Sequence, residues 1–462
     1  MSKLTYEAAV NYLESFIDYE KKTSYTYSPR LWNLERMRLL LNSLGEPHQK
    51  LKVIHIAGSK GKGSTAAMIY SILNTAGYKT GLYTSPHLVT PLERFRVNSK
   101  LMSENQFCEL VEQFQPHIDE VNKKMDIGKL SFFEIYTAMG FLFFAMENVD
   151  FLVLEVGLGG RLDATNVVEQ PLVSVITQIS LEHTNLLGDN LASIATEKAG
   201  IIKTNGLVIS SPQQPEVMEV IEKSCAKQNA KLFQVGKDIS FERLPKKRKF
   251  HDIDQSFTSF EDKPGQYFTL KSNIAEYSRC RLPLLGKHQL INAATAVGAI
   301  ELLRFHGYAI SEEQVKSGLE QTVWPARMQV IGREPTILLD VAHSPESARV
   351  LRESIYETFT YDKLILVVGI SGDKDIKGIG AELCPIADIA ILTKASNNPR
   401  AAAPARIEQE WKDFNITLVI RNTVASALDY ARSIAGKNDL ICITGSFYPI
   451  GEAITLLGVS IT

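Results

Sequence analysis

The chain has 462 residues, with 50 Lys and Arg against 52 Asp and Glu, for a formal net charge of −2. At 45% hydrophobic and 22% charged residues it is globular in composition, which excludes a disordered chain or a fibre and leaves no overall basic field for nucleic acid. Its length suggests about two to four domains at roughly 150 residues each.

Apolar spacing predicts helices over 6–19 and 31–44, stopped by Gly45 and Pro47. Leu51 to Ala57 reads as a buried strand that runs straight into Gly58-Ser59-Lys60-Gly61-Lys62-Gly63-Ser64-Thr65. A helix follows, with Met68, Ile69, Ile72 and Leu73 on one face and Gly77 as its stop, and then a strand at 79–84. Strand, Gly-rich turn, helix and strand are the opening of a parallel sheet. An apolar helix begins at Phe132-Phe133-Glu134. The stretch Tyr136–Met146 is too short for a membrane span and meets Glu147. Phe151–Val156 and Leu172–Thr177 are continuous apolar strands, suited to a sheet covered on both faces. A short helix at 191–199 ends at Gly200, and Leu207–Ser210 adds a strand. Residues 236–281 alternate over short runs and read as antiparallel β-structure; the dense basic run 246–249 within them is too short to hold nucleic acid. An amphipathic helix is expected at 289–304.

Trp324-Pro325-Ala326-Arg327 breaks the pattern and places a hinge near 320–334. A second α/β series follows, with strands at 336–341, 363–369, 387–393 and 439–444 and helices including 345–358 and 422–436. The fold class read from this order is α/β: a P-loop nucleotide-binding domain with a parallel sheet over 1–328, then a smaller Rossmann-like domain over 329–462. Cys108, Cys225, Cys280, Cys384 and Cys442 are scattered, without a Cys-x-x-Cys, which suggests reduced thiols and a cytoplasmic location. The N-terminal stretch carries Glu7, Glu14 and Asp18 and has no secretory apolar core. No membrane and no nucleic-acid partner is expected.

The loop differs from the common Walker spacing, because only two residues separate Gly58 from Gly61-Lys62. The physics is shared. Gly58, Gly61 and Gly63 let backbone N–H groups turn toward phosphate oxygens, Lys62 supplies charge, and the helix start at Ser64 and Thr65 adds its dipole. A plain Gly-rich turn with a solvated lysine is the competing reading. Glu155 stands at the end of an apolar strand, where it suits Mg²⁺ or a pairing with Arg161. Asp340 ends the first strand of the second series, at the edge where such sheets place ligands.

Gly-x-x-Gly-Lys-Gly-Ser-Thr resembles the loop of the Mur ligase superfamily, and within it the folylpolyglutamate synthase and dihydrofolate synthase branch. The resemblance extends through Leu34-Glu35-Arg36-Met37, Ser85-Pro86-His87-Leu88, Ser131-Phe132-Phe133-Glu134, Glu155 to Asn166, and Glu197-Lys198-Ala199-Gly200. It continues through Gly286-Lys287-His288-Gln289 to Asn292, Asp340 to His343, Gly369 to Asp375 and Thr444 to Tyr448. It implies a Mur-ligase central-domain-like first domain that binds ATP and folate, and a second domain that binds glutamate.

The same resemblance implies Ser85, Glu155 and His183 as Mg²⁺ ligands and a carbamylated lysine at Lys198. It puts Asn292 near adenine, Arg327 on phosphate and Asp340 on ribose. His343 falls near the γ-phosphate and glutamate, and Ser446 on a glutamate carboxylate. Pro86, His87, Phe133 and Glu134 shape the folate site; core packing is the plainer reading for most aromatics of that helix. Lys62, Lys198 and His343 are the implied catalytic set. Two departures stand out: Asp340-Val341-Ala342-His343-Ser344 replaces the usual Asp-Gly-Ala-His-Asn, and Pro325-Ala326-Arg327 the usual Pro-Gly-Arg.

The implied chemistry is transfer of the ATP γ-phosphoryl group to an acceptor carboxylate, followed by attack of the glutamate amine on the acyl phosphate. The expected protein is a monomeric ligase of small-molecule substrates: ATP, L-glutamate, and a folate or dihydropteroate. A Mur-type peptidoglycan ligase and a nucleotide-dependent regulator without ligase chemistry are the alternatives.

Overall fold

The structure is a computed structural model that describes residues 4–19, 33–124, 128–245, 265–396 and 398–461. The basic run 246–249 lies outside the described residues. The first sheet has eight strands: β1 Val53–Ala57, β2 Thr80–Tyr83, β3 Phe95–Val97, β4 Lys100–Leu101, β5 Phe151–Glu155, β6 Val173–Ile176, β7 Leu207–Ser210 and β8 Lys231–Gln234. Their order is β4-β3-β2-β5-β1-β6-β7-β8. All pairings from β2 to β8 are parallel; only β3 and β4 run antiparallel.

Every residue of β1 and β5 is buried, as a sheet covered on both faces requires. Ile54, Ile56 and Val153 enter one core with Ile69, Ile72 and Val297. Val53, Leu152 and Leu154 enter another with Phe141, Phe144 and Phe114. A one-residue slip in register would exchange those faces.

A small antiparallel sheet follows, β9 Ile239–Arg243, β10 Gln266–Ser272 and β11 Glu276–Leu282, in the order β11-β10-β9. The third sheet holds β12 Gln329–Arg333, β13 Thr336–Leu339, β14 Leu364–Val368, β15 Ile389–Leu392, β16 Thr417–Ile420 and β17 Leu440–Thr444. Its order is β12-β13-β17-β14-β15-β16, parallel except for β12 against β13. Leu364, Leu366 and Val368 face one core; Ile365 and Val367 face the other. No helix among the described residues is long and apolar enough to cross a membrane.

The expected strands and helices recur with bounds moved by a few residues, and Leu191–Ala199, Leu207–Ser210 and Pro345–Thr358 coincide. Three corrections stand. The helix Lys287–Leu302 is buried on nearly every side rather than amphipathic, because it lies between the first sheet and the small one. β12 and β16, not anticipated, are the edge strands of the third sheet, only partly buried apart from the exposed Thr417. Such strands carry little of the apolar signal that marks a buried one. Val341 lies outside the left-handed region, so it is unstrained where the usual sequence has glycine, whereas Ala326 adopts φ 57 and Met328 φ 47.

Candidate active site

Parallel strands share a direction, so β2, β5, β1 and β6, which are consecutive in the sheet, end along one edge. That edge collects Ser85, Glu155, the loop from Gly58 to Thr65, and the segment Gln178–His183. The loop is shaped by two glycines. Gly58 has φ 152, and a Cβ there would collide with the Thr177 side chain; Gly61 has φ 87, and a Cβ would collide with the Asn292 amide. Asn292 therefore packs directly on the loop, its Nδ2 donating to Gln289 Oε1 at 3.0 Å. The N–H groups of Ser59 and Lys60 donate to the Gln178 carbonyl at 2.9 and 3.0 Å, and Gly61 caps the helix Lys62–Thr75. Lys62 Nζ donates to the Gly58 carbonyl at 3.0 Å, folded back on its own loop.

Lys198 is fully buried in the last turn of Leu191–Ala199. Its Nζ donates to Glu182 Oε1 and to the Gly58 carbonyl, each at 2.8 Å. Burial pulls the ammonium below its ordinary range and Glu182 opposes that. Burial alone would raise Glu182, but Lys198, Lys62 and Lys60 hold it well below the usual carboxylate range.

Glu155 is buried at the end of β5, and accepts the Ser85 N–H at 3.2 Å. Burial pushes its carboxyl up to about 7, against the pull of Lys62, the Ser85 N–H and Arg327. Ser85, Pro86, Glu155, Arg327 and Phe447 line one cleft. A buried carboxylate short of counter-charge is a fitting ligand for a cation, and Ser85 stands beside it. His183 is exposed, with φ 47, before the short helix Thr184–Leu187. Among the described residues no three His, Cys, Asp or Glu side chains converge as a ready-made metal cluster.

The second lobe meets this edge with the ends of β13, β14 and β17. Asp340 accepts N–H groups from Met328 at 3.0 Å and Ala342 at 2.9 Å, and so ties the linker to β13. His343 Nδ1 lies 2.9 Å from the Val341 carbonyl, which makes Nδ1 the protonated nitrogen of a neutral ring. Burial pushes its pKa down to about 3, with Lys60 adding to the effect. Ser446 is buried and donates to the Gly369 carbonyl at 3.1 Å. The Arg327 guanidinium lies over the Phe447 ring at 5.4 Å, between the lobes rather than on the surface. Lys60 Nζ reaches across to Ser344 Oγ at 3.4 Å.

The loop after β2 and the start of the helix Phe132–Met146 are built differently. Glu93 takes the N–H groups of Leu88, Val89 and Thr90 at 3.0, 2.7 and 2.8 Å and fixes the loop after β2. Arg94 Nε donates to His87 Nδ1 at 3.1 Å, and its guanidinium lies over Phe132 and Tyr136. Phe133 packs against Gly157, beside the end of β5, and near Tyr83. Glu134 turns away from this group: it closes a capping box with Ser131 and pairs with Arg36 Nε at 3.0 Å. Arg94, Glu93 and the Glu182–Lys198 pair are parts of the site whose partners sequence spacing did not reveal.

A family model described as the Mur ligase middle domain matches residues 56–300, and one described as the Mur ligase glutamate ligase domain matches 326–447. The class of protein that this fold and these matches define is thus an ATP-dependent amino-acid ligase built on two lobes. The dihydrofolate synthase/folylpolyglutamate synthase of Bacillus subtilis is 36% identical over 426 residues, covering 91% of this chain and 93% of its own. The Escherichia coli protein of the same description is 31% identical, covering 92% and 91%. Among solved structures, Mycobacterium tuberculosis folylpolyglutamate synthase complexed with ADP superposes with a TM-score of 0.88 at 30% identity, covering 99% of both chains. E. coli FolC in complex with DHPP and ADP gives 0.80 at 29% identity, covering 98% of both. The chain belongs to the Mur ligase family, in its dihydrofolate synthase/folylpolyglutamate synthase branch.

Proposed function

We propose that this chain is an ATP-dependent ligase that adds L-glutamate to folates, extending tetrahydrofolate with glutamate, and also to dihydropteroate to make dihydrofolate. The observation that carries the reading is the facing of two strand edges. The loop and Glu155 stand on one, His343 and Ser446 on the other, and Lys60 spans 3.4 Å to Ser344 between them. We place the domain boundary at 328/329, where β12 opens the third sheet. Both edges come from one chain, which supports a monomer, and the described cysteines are all unpaired, which supports the cytoplasm.

A carboxylate is a poor acyl donor because its leaving group would be oxide. Transfer of the γ-phosphoryl group of ATP to the acceptor carboxylate gives an acyl phosphate. The glutamate α-amine attacks its carbonyl, and the tetrahedral intermediate collapses with loss of phosphate. In this reading Lys62 leaves the Gly58 carbonyl for the phosphates, joined by the N–H groups of Gly61 to Thr65 and by Arg327. Asn292 borders adenine and Asp340 holds ribose. His343 lies by the γ-phosphate and Ser446 binds a glutamate carboxylate. Pro86, His87 and Phe133 frame the pterin; Glu134 supports them from behind. Mg²⁺, held by Ser85, Glu155 and His183, would neutralise phosphate charge. Closure of the lobes keeps water from the acyl phosphate.

Lys198 as a carbamate is part of the proposal. Burial favours its neutral amine, the form that takes up carbon dioxide. A crystal with nucleotide and Mg²⁺ bound and no extra density at Nζ would count against it. The function itself is tested with ATP, Mg²⁺ and labelled glutamate, offering dihydropteroate and tetrahydrofolate separately. Label entering neither acceptor sinks the reading; label entering tetrahydrofolate alone removes the dihydrofolate synthase half.

A further inference from the structure

Three lysines converge on the phosphate loop, and they are not equally provided for. Lys198 has a carboxylate, Glu182, at 2.8 Å. Lys62 has the Gly58 carbonyl at 3.0 Å. Lys60, partly buried between the lobes, has one long contact of 3.4 Å to the neutral Ser344 hydroxyl, and no carboxylate within ion-pair distance among the described residues. Ser344 Oγ is itself committed elsewhere: it is 3.0 Å from Ser347 Oγ and accepts the Ser347 N–H at 3.3 Å as the cap of Pro345–Thr358. An ammonium has three protons to donate. Here none meets an anion, although the group has lost much of its water, and burial lowers its pKa accordingly.

The charges that Lys60 faces also fall short of neutrality. Glu182 and Glu346 favour its charged form; Lys62 and Lys374 oppose it. Glu182 is already taken by Lys198, Lys374 is paired with Asp373 at 3.2 Å, and Glu346 is exposed, which leaves Lys60 and Lys62 with no carboxylate of their own among the described residues. His343, beside Ser344, is neutral and contributes no charge of either sign. The seam is therefore a pocket of cations awaiting an anion. Direction decides which one. Lys62 opens the helix Lys62–Thr75, whose N-terminus the ligase reading assigns to the phosphates, whereas Lys60 reaches the other way, to Ser344 in the lobe that carries His343 and Ser446.

We propose that Lys60 is a specificity residue for the incoming amino acid, donating across the seam to one carboxylate of L-glutamate. This rests on the ligase reading above. It assigns the loop two lysines with separate tasks: Lys62 for the nucleotide and Lys60 for the amino acid. The substrate, with its two carboxylates, would then be held from both lobes, by Lys60 from the first and by Ser446 from the second, and its binding would itself draw the lobes together.

The experiment uses the full chain with Lys60→Met, which keeps the stem and removes the charge, and Lys60→Arg, which keeps the charge. Each substrate is varied in turn, and thermal melting is recorded without ligands. For Lys60→Met the expected result is a KM for L-glutamate raised at least ~10-fold, as for loss of a charge-assisted contact. The KM values for ATP and the folate should stay within about twofold. Lys60→Arg should restore most of the glutamate affinity. Melting of Lys60→Met should be unchanged or raised, because an under-paired charge has been removed. A rise in the KM for ATP instead would make Lys60 a phosphate ligand and overturn the proposal. So would unchanged kinetics, or a lowered melting temperature with all constants altered together, which marks a structural lysine. Absence of glutamate incorporation by the wild-type chain is a separate outcome that overturns the underlying ligase reading.

Discussion

Two sets of buried charges border one strand edge, and they are finished to different degrees. Around the loop after β2 and the helix Phe132–Met146, Glu93 satisfies three backbone N–H groups, Arg94 has His87 and two ring faces, and Glu134 has Ser131 and Arg36. Around the loop from Gly58 to Thr65, Glu155 feels Lys62 and Arg327 but makes no direct ion pair among the described residues, Lys62 is folded onto its own loop, and Lys60 holds a single hydroxyl. The first set is scaffold: its polar groups are consumed in fixing the loop after β2 and the start of the helix Phe132–Met146. The second set is left partly unsatisfied, which is what the proposed function requires of groups that meet a nucleotide and a cation. Completeness of pairing, more than residue type, separates the two roles.

The comparison is broken first at its most exposed point. Lys62→Ala should lower kcat by at least ~10³-fold, the scale of losing a transition-state charge donor, with secondary structure and melting nearly unchanged. Full activity in that variant would refute the loop assignment. Glu134→Ala should do the reverse. It breaks the buried Arg36 pair and removes the Glu134 half of the capping box, while Ser131 still caps Phe132–Met146, for a loss of about 2–4 kcal/mol in urea unfolding. A stable variant with a raised KM for folate would return Glu134 to the substrate.

A third probe uses pH, at a buried group inside the first sheet. His55 is fully buried on β1 with Nε2 2.9 Å from Thr165 Oγ1, and Thr165 in turn donates to Asp163. Burial, reinforced by Lys203, pushes the His55 pKa down to about 3. Unfolded, the ring takes a proton below its ordinary value near 6.5; folded, it refuses one until about pH 3. Its depressed pKa therefore contributes stability above pH 6.5 that is lost as pH falls toward 3, at about 1.4 kcal/mol per unit. Between pH 7 and pH 4, wild-type urea unfolding should lose about 3 kcal/mol more than His55→Gln does. Parallel losses in the two proteins would mean that His55 does not set the slope.

How far the molecule was legible in its sequence follows the same division. Continuous apolar runs announced β1, β5, β14 and β17, because a strand buried on both faces has no alternation to obscure it. The edge strands β12 and β16 escaped, since partial burial leaves no such run. The turn at Gly58 and Gly61 between β1 and the helix Lys62–Thr75 was readable because glycine spacing is a backbone requirement. Pairing was not readable: nothing local to Glu134 names Arg36, 98 residues earlier, as its partner. Nor does anything local to Lys60 name Ser344, 284 residues later. Expecting Glu134 on the substrate rested on its motif alone; its cap with Ser131 and its pairing with Arg36 make it scaffold in the structure.

The smallest effect expected is at the linker, where Pro325-Ala326-Arg327 stands in place of Pro-Gly-Arg. Ala326 does adopt a left-handed conformation, φ 57, which costs a non-glycine residue roughly 1–2 kcal/mol. Its methyl is also fully buried against Leu339 and Val341 in the core of the second lobe, where a CH₂-sized group stabilises by about 0.8 kcal/mol. Alanine further restricts the unfolded chain by about 0.4–1 kcal/mol relative to glycine. The strain and the two gains are of one size and opposite sign, so Ala326→Gly should leave stability within about 1 kcal/mol of wild type. Its effect belongs in closure instead. Glycine widens the backbone angles open to residue 326 while Val341 accepts no new freedom, so kcat should move by less than about threefold, with unfolding in urea as the control. A loss beyond about 2 kcal/mol would show that the methyl, not the backbone, is what this linker needs.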